Sequence, residues 1–173
     1  MALIDDPQQM RQRLESLAEL EKRLSFRISR LSKLLDGHAT KYLAQHGLGL
    51  TWYRILMVLG IFDETTAADL SRLMVIDRAQ ISRAVSDLLA RGLLVQQEDP
   101  TNRRRKLLNL TEAGRALLAE VQPQLEARQK VFVDLLEDSE LEALRGAIDK
   151  ISRHLAIELE QPDAAPSSLP PGD

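Results

Sequence analysis

The sequence predicts a mainly α-helical fold with one small β-hairpin, an α+β arrangement. Three observations predict it. Apolar residues recur at helical spacing near both ends of the chain. Two short capped helices in the middle are separated by only about three residues. After Gly92 the apolar pattern changes from helical to strand-like. With 173 residues, 44% apolar and 28% charged, the chain is long enough for a real core and too apolar for wholesale disorder.

The elements follow in order. Leu17, Leu20, Leu24, Ile28, Leu31 and Leu35 lie on one stripe and predict a single long helix through the N-terminal third. Gly37 and His38 then open an irregular stretch through Gly47 and Gly49. Thr51 is read as the N-cap of a helix from Trp52 to Phe62, apolar nearly all round and therefore the buried centre. Thr66 with Asp69 resembles a capping box and starts a helix ending near Met74. Asp77 with Gln80 repeats the signal for a helix that runs to Arg91 and stops at Gly92. The tight junction forces these two helices to cross steeply, as in a helix-turn-helix.

Leu93 to Glu98 and Arg105 to Leu110 read as strands flanking a basic tip, Asp99-Pro100-Thr101-Asn102-Arg103-Arg104. Thr111 caps a further helix, bent near Pro123. Ser139 and Glu142 form a capping box for the last helix, whose stripe is Leu141, Leu144, Ile148, Ile151 and Leu155. From Gln161 onward, four prolines with Ser, Ala and Gly predict a disordered tail.

Several function classes drop out. No cysteine is present, which excludes a disulfide scaffold, a thiolate metal site and a thiol nucleophile. Three dispersed histidines offer no metal set. No Gly-rich phosphate loop or nucleophile elbow appears, so the chain is not read as an enzyme and no cofactor is expected. Met1 to Asp6 lack a basic signal-peptide region, and the apolar run Ile55 to Phe62 is too short for a bilayer. The expected class is soluble and cytoplasmic, with no membrane partner.

A net charge of −3 hides an uneven distribution. Residues 1–70 hold 9 basic and 9 acidic groups, residues 71–110 hold 8 and 4, and residues 111–173 hold 6 and 13. The basic middle block is either a solvated face or a footprint for nucleic acid. At about 100° per residue, Ile81, Ala84, Val85 and Leu88 turn one face of the Asp77–Arg91 helix inward. Ala79, Ser82, Arg83 and Ser86 then lie outward. Small residues around one guanidinium suit close approach to a major groove, where arginine pairs bidentately with guanine. Gln80 is placed to reach a base or phosphate. Arg78 opposes the helix macrodipole, a cost that a nearby phosphate would offset. Arg103, Arg104, Arg105 and Lys106 give a second basic surface for a phosphate ridge or minor groove. Duplex DNA is favoured over single strands, because the basic block contains no aromatic residue for stacking.

Three segments, Ile76 to Arg83, Leu88 to Leu94 and Asp99 through Leu110 to Gly114, resemble in order and spacing the multiple antibiotic resistance regulator (MarR) family of bacterial transcription factors. The resemblance implies a winged helix-turn-helix domain plus a helical dimerisation region in an obligate homodimer. It also implies a pseudopalindromic operator on double-stranded DNA and repression relieved by a small ligand. The domains expected are a dimerisation helix and connector over 8–47, the winged domain over 48–110, dimerisation helices over 111–160 and the tail over 161–173. The stripes beginning at Leu17 and Leu141 would pack together and against the partner, or else each cover its own core. Family members often bind anionic aromatic compounds. Candidate groups for an aryl carboxylate or phenolic effector are Arg27, Arg30, Tyr42, His46, Trp52 and Tyr53, although Trp52 and Tyr53 equally suit core or rim packing. Two departures stand out. The family's wing commonly carries Asp-x-Arg, where this chain has Asn102-Arg103-Arg104, so Asn102 or Asp99 must support Arg104. Val75 stands where related motifs often place glycine. The alternative reading is a helical protein-interaction adaptor, which leaves the arginine-rich hairpin unexplained.

Overall fold

The structure, a computed structural model, describes residues 7–160, with the side chains of residues 7–14, 103 and 158–160 outside the description. The expected tail over 161–173 and the segment Met1 to Asp6 lie outside the described residues.

Two helices, α1 (Pro7–Lys22) and α2 (Leu24–Leu43), replace the expected single N-terminal helix. The break is Arg23 alone, extended at φ −76° and ψ 114°. The apolar spacing runs straight across it, so periodicity carries no trace of it. The predicted irregular stretch from Gly37 is also corrected, because α2 continues through Gly37 and His38. One interior glycine costs a helix only about 1 kcal/mol. The chain leaves α2 through a 3₁₀ turn, Ala44–His46. Gly47 closes that turn at φ 63°, its N–H donating to Ala44 and that of Leu48 to the Leu43 carbonyl.

Helix α3 (Leu50–Ile61) starts from extended Gly49 and has no side-chain cap, so Thr51 lies in its first turn instead of before it. Ile55, Leu56 and Leu59 are almost wholly buried at the centre of the core. A two-residue strand, β1 (Thr65–Thr66), leads into α4 (Ala67–Met74). The Thr66–Asp69 capping box is present in full. The Asp69 N–H donates to Thr66 Oγ1 at 3.1 Å, and the Thr66 N–H donates to Asp69 Oδ2 at 3.2 Å. Val75 turns the chain in the left-handed region at φ 51°. Helix α5 (Arg78–Ala90) follows, and Asp77 accepts from the N–H groups of Ala79 and Gln80. Only half of that second box forms, because the Gln80 amide donates to Thr51 Oγ1 at 3.4 Å. Gly92, at φ 68°, ends the unit.

The hairpin consists of β2 (Leu94–Asp99) and β3 (Asn102–Leu110). Its tip is therefore only Pro100 and Thr101, and the arginines expected in a loop stand in a strand. Strand order is β1-β3-β2, all antiparallel. β1 is too short to leave a sequence pattern. Helix α6 (Glu112–Val133) begins after Thr111, whose hydroxyl oxygen accepts from the Gly114 N–H at 3.0 Å and donates to the Gly92 carbonyl at 2.7 Å. It runs on through Pro123, where the chain divides into two compact units. Helix α7 (Asp138–Glu160) starts two residues earlier than the Ser139 cap predicts. Glu137 carries the cap, its N–H donating to Glu140 Oε2 at 3.0 Å, so Ser139 lies inside the helix.

The fold is mainly helical with a small three-stranded sheet, a winged helix-turn-helix. Its buried apolar residues lie between Leu43 and Val121. Among the described residues beyond Pro123, none is buried. No described helix is long and apolar enough to cross a membrane.

Candidate nucleic-acid interface

The inward face of α5 holds Ile81, Ala84, Val85 and Leu88, each at most 6% exposed. This fixes the helix's rotation, so Arg78, Ala79, Gln80, Ser82, Arg83 and Ser86 are all exposed. Within that outward set the hydrogen bonds are modest. Ser86 donates to the Ser82 carbonyl at 2.9 Å, and Gln80 is turned toward Thr51. Arg83 is the long donor among small neighbours, the composition a groove demands.

The other end of α5 is pinned. The Arg91 guanidinium lies 4.2 Å from the Trp52 ring centroid and donates to the Gly47 carbonyl at 3.4 Å. A cation over an indole face is attracted by the ring's quadrupole. From the sequence, Arg91 reads only as a helix end and Trp52 as a ligand candidate. The one signal for their contact is that Trp52 and Arg91 both adjoin glycine-containing turns.

The wing's basic residues differ in their partners. Lys106 pairs with Glu98 at 2.8 Å across the hairpin. Arg105 lies 3.7 Å from Asp69 and 3.6 Å from Asp99. Arg104 is exposed, and its main-chain N–H donates to Asn102 Oδ1 at 3.1 Å. Asn102 thus supports the backbone of Arg104, while Asp99 faces Arg105. The side chain of Arg103 lies outside the described residues. Arg72, Arg104, Arg105, Lys106 and Asp69 line a cavity of about 490 Å³ at the start of α4.

Two carboxylates here are held below the ordinary aspartate value. For Asp99 the largest cause is the hydrogen bond from the Thr101 side chain, followed by the main-chain N–H of Thr101, against burial. For Asp69 it is the bond from the Thr66 side chain, against burial, with Arg72 adding to it. Both aspartates therefore favour the ionised state at neutral pH.

The ligand candidates fall into separate groups. Arg27 and Arg30 line a cavity of about 390 Å³ with Glu21 and Phe26, and Arg30 pairs with Glu21 at 3.0 Å. Tyr42 and His46 meet edge-on with centroids 5.0 Å apart, and His46 Nδ1 is 3.0 Å from Glu120. Trp52 is occupied by Arg91, and Tyr53 is partly buried. The α2 cavity includes none of these four. An ion pair missed in the sequence, Arg54 to Asp36 at 2.6 Å, ties α3 to α2.

Comparison with known proteins agrees with this geometry. Residues 46–105 match the model of the MarR family. The HTH-type transcriptional regulator MhqR of Bacillus subtilis is 25% identical over 126 residues, covering 73% of this chain and 87% of that protein. Among solved structures, CouR from Rhodococcus jostii RHA1 bound to p-coumaroyl-CoA is 28% identical with a TM-score of 0.69, covering 76% of this chain and 93% of CouR. A MarR-family transcriptional regulator from Rhodococcus sp. RHA1 is 27% identical with a TM-score of 0.65, covering 74% and 91%.

Proposed function

We propose, from the match of residues 46–105 to the MarR-family model, a homodimeric repressor that reads a pseudopalindromic operator and is released by a small anionic aromatic ligand. The coarse activity is DNA-binding regulation of transcription, not catalysis. One observation carries it furthest: α5 turns small residues and Arg83 outward beside a wing that exposes Arg104. Base edges and phosphates are then within reach of one surface. Residues 8–47 and 111–160 are assigned to dimerisation and residues 48–110 to DNA. A two-fold dimer sets its recognition helices about 34 to 36 Å apart, one duplex turn. Such a protein works in the cytoplasm, where the operator is.

Support for the ligand comes from arginines and aromatics near α2 and α3, together with the aromatic thioester bound by CouR. Arg27 and Arg30 are the assigned anion partners, with Phe26 of the same cavity as the aromatic side, and Tyr42, His46, Trp52 and Tyr53 lie outside that cavity.

The test begins with duplexes selected by the protein from a random pool. Arg83→Ala should flatten discrimination between the selected duplex and single-base variants by about 1–3 kcal/mol at one position. Arg104→Ala should weaken binding to all duplexes alike and lower the salt slope by about 0.9 per chain. Unchanged discrimination in Arg83→Ala would refute the placement of α5. Competition by p-coumarate or its thioester in the same assay tests release.

A further inference from the structure

We propose that Arg105 and Asp69 are positioning residues: Arg105 bridges Asp69 of α4 and Asp99 of the wing turn, holding the wing so that Arg104 meets the duplex. The proposal rests on the duplex-reading function above and assigns roles within it.

The main chain leaves this segment unsecured. β1 pairs with β3 only at Leu107 and Leu108. On the other side the register runs to Glu98 opposite Lys106 and then jumps to Asp99 opposite Asn102, skipping Arg103, Arg104 and Arg105. Side chains must therefore set the strand's orientation there.

The oxygen atoms divide accordingly. Asp99 is only 6% exposed, and a buried carboxylate needs partners. Its Oδ1 accepts from the Thr101 N–H at 2.8 Å, the Thr101 hydroxyl at 2.6 Å and the Asn102 N–H at 3.2 Å. Its Oδ2 faces Arg105 Nη1. In Asp69, Oδ1 accepts from Arg72. Its Oδ2 accepts from the Thr66 hydroxyl at 2.6 Å and faces Arg105 Nη2. The two terminal nitrogens of one planar guanidinium thus address two carboxylates on different elements. A lysine, with a single compact charge, cannot span both.

The bridge makes predictions opposite in sign to those of simple charge. Asp69 stands on a surface meant for a polyanion, so if repulsion were its only effect, Asp69→Asn would tighten binding. As a positioning residue its loss should weaken binding to the selected duplex by about threefold or more, with the salt slope unchanged. Arg105→Lys keeps the charge a phosphate would need, yet should weaken binding as much as Arg105→Gln. The double variant Asp69→Asn/Arg105→Gln should lose no more than Arg105→Gln alone, since both break one bridge.

The inference is overturned by tighter or unchanged binding in Asp69→Asn, by full retention in Arg105→Lys, or by a slope reduced by about 0.9 in Arg105→Gln. Should Asp69→Asn unfold, Arg105→Lys, which leaves the α4 cap intact, decides the matter by itself. If the unaltered protein selects no duplex, both readings fail. If it selects one and the variants miss these outcomes, this one fails alone.

Discussion

At the scale of single residues, three turns share one hydrogen-bond pattern and differ in the residue that makes it. Gly47 and Gly92 take the left-handed conformation without a Cβ, at φ 63° and 68°. Val75 takes it at φ 51°, with its N–H on the Arg72 carbonyl and that of Ile76 on the Ser71 carbonyl. The left-handed region costs a Cβ-bearing residue about 1–2 kcal/mol, and glycine would return part of that as unfolded-state entropy. Val75→Gly should therefore stabilise the protein by about 0.5–1 kcal/mol, seen as a higher midpoint in thermal unfolding. Gly114→Ala should do the reverse in the same melts. A Cβ there would stand 2.1 Å from the Leu93 carbonyl oxygen, a backbone clash costing about 3 kcal/mol. The departure at Val75 was legible from the resemblance. The need at Gly114 was not, because it arises where α6 crosses the residue after Gly92.

Among the elements, those with local determinants were the legible ones. The core side of α5 and the capping of α4 follow from spacing and from two side chains that bond within three residues. Arg23, Gly37 and Ser139 misled for a common reason: the competing helix boundary differed by little free energy, and neighbours decided it. The extension of the strand back through Arg103 and Arg104 was hidden because those residues lack apolar alternation and the register passes over them, from Lys106 opposite Glu98 to Asn102 opposite Asp99. The wing and α4 also share a pH response. Asp69 and Asp99 are both held below their ordinary value near 3.8, so each contributes stability above that pH. That contribution is lost as pH falls through the lowered folded values. Thermal midpoints should be flat from pH 7 to about 5 and drop below about pH 4. In Asp99→Asn the acid limb should be shallower.

Among the described residues, large apolar side chains stand exposed in stripes near both ends of the chain. On α1 and α2, Leu17, Leu24, Ile28 and Leu31 are 48–61% exposed, and on α7 Ile148 is 53% and Leu155 49%. Exposed stripes of this size call for a partner surface. Leu31→Glu and Ile148→Glu should each shift the protein toward monomers in sedimentation velocity. They should lower affinity for a two-half-site duplex without affecting an isolated half-site. The stripes themselves were plain from spacing; what covers them was not, because spacing along one helix does not specify the surface it meets. A last consequence concerns the sole tryptophan. Because its indole is stacked against the arginine at the C-terminal end of α5, the molecule carries a native fluorophore at the joint between its winged helix-turn-helix and the connector from its N-terminal helices. Emission colour and quenching can therefore follow that joint as DNA or effector is added, with no dye attached.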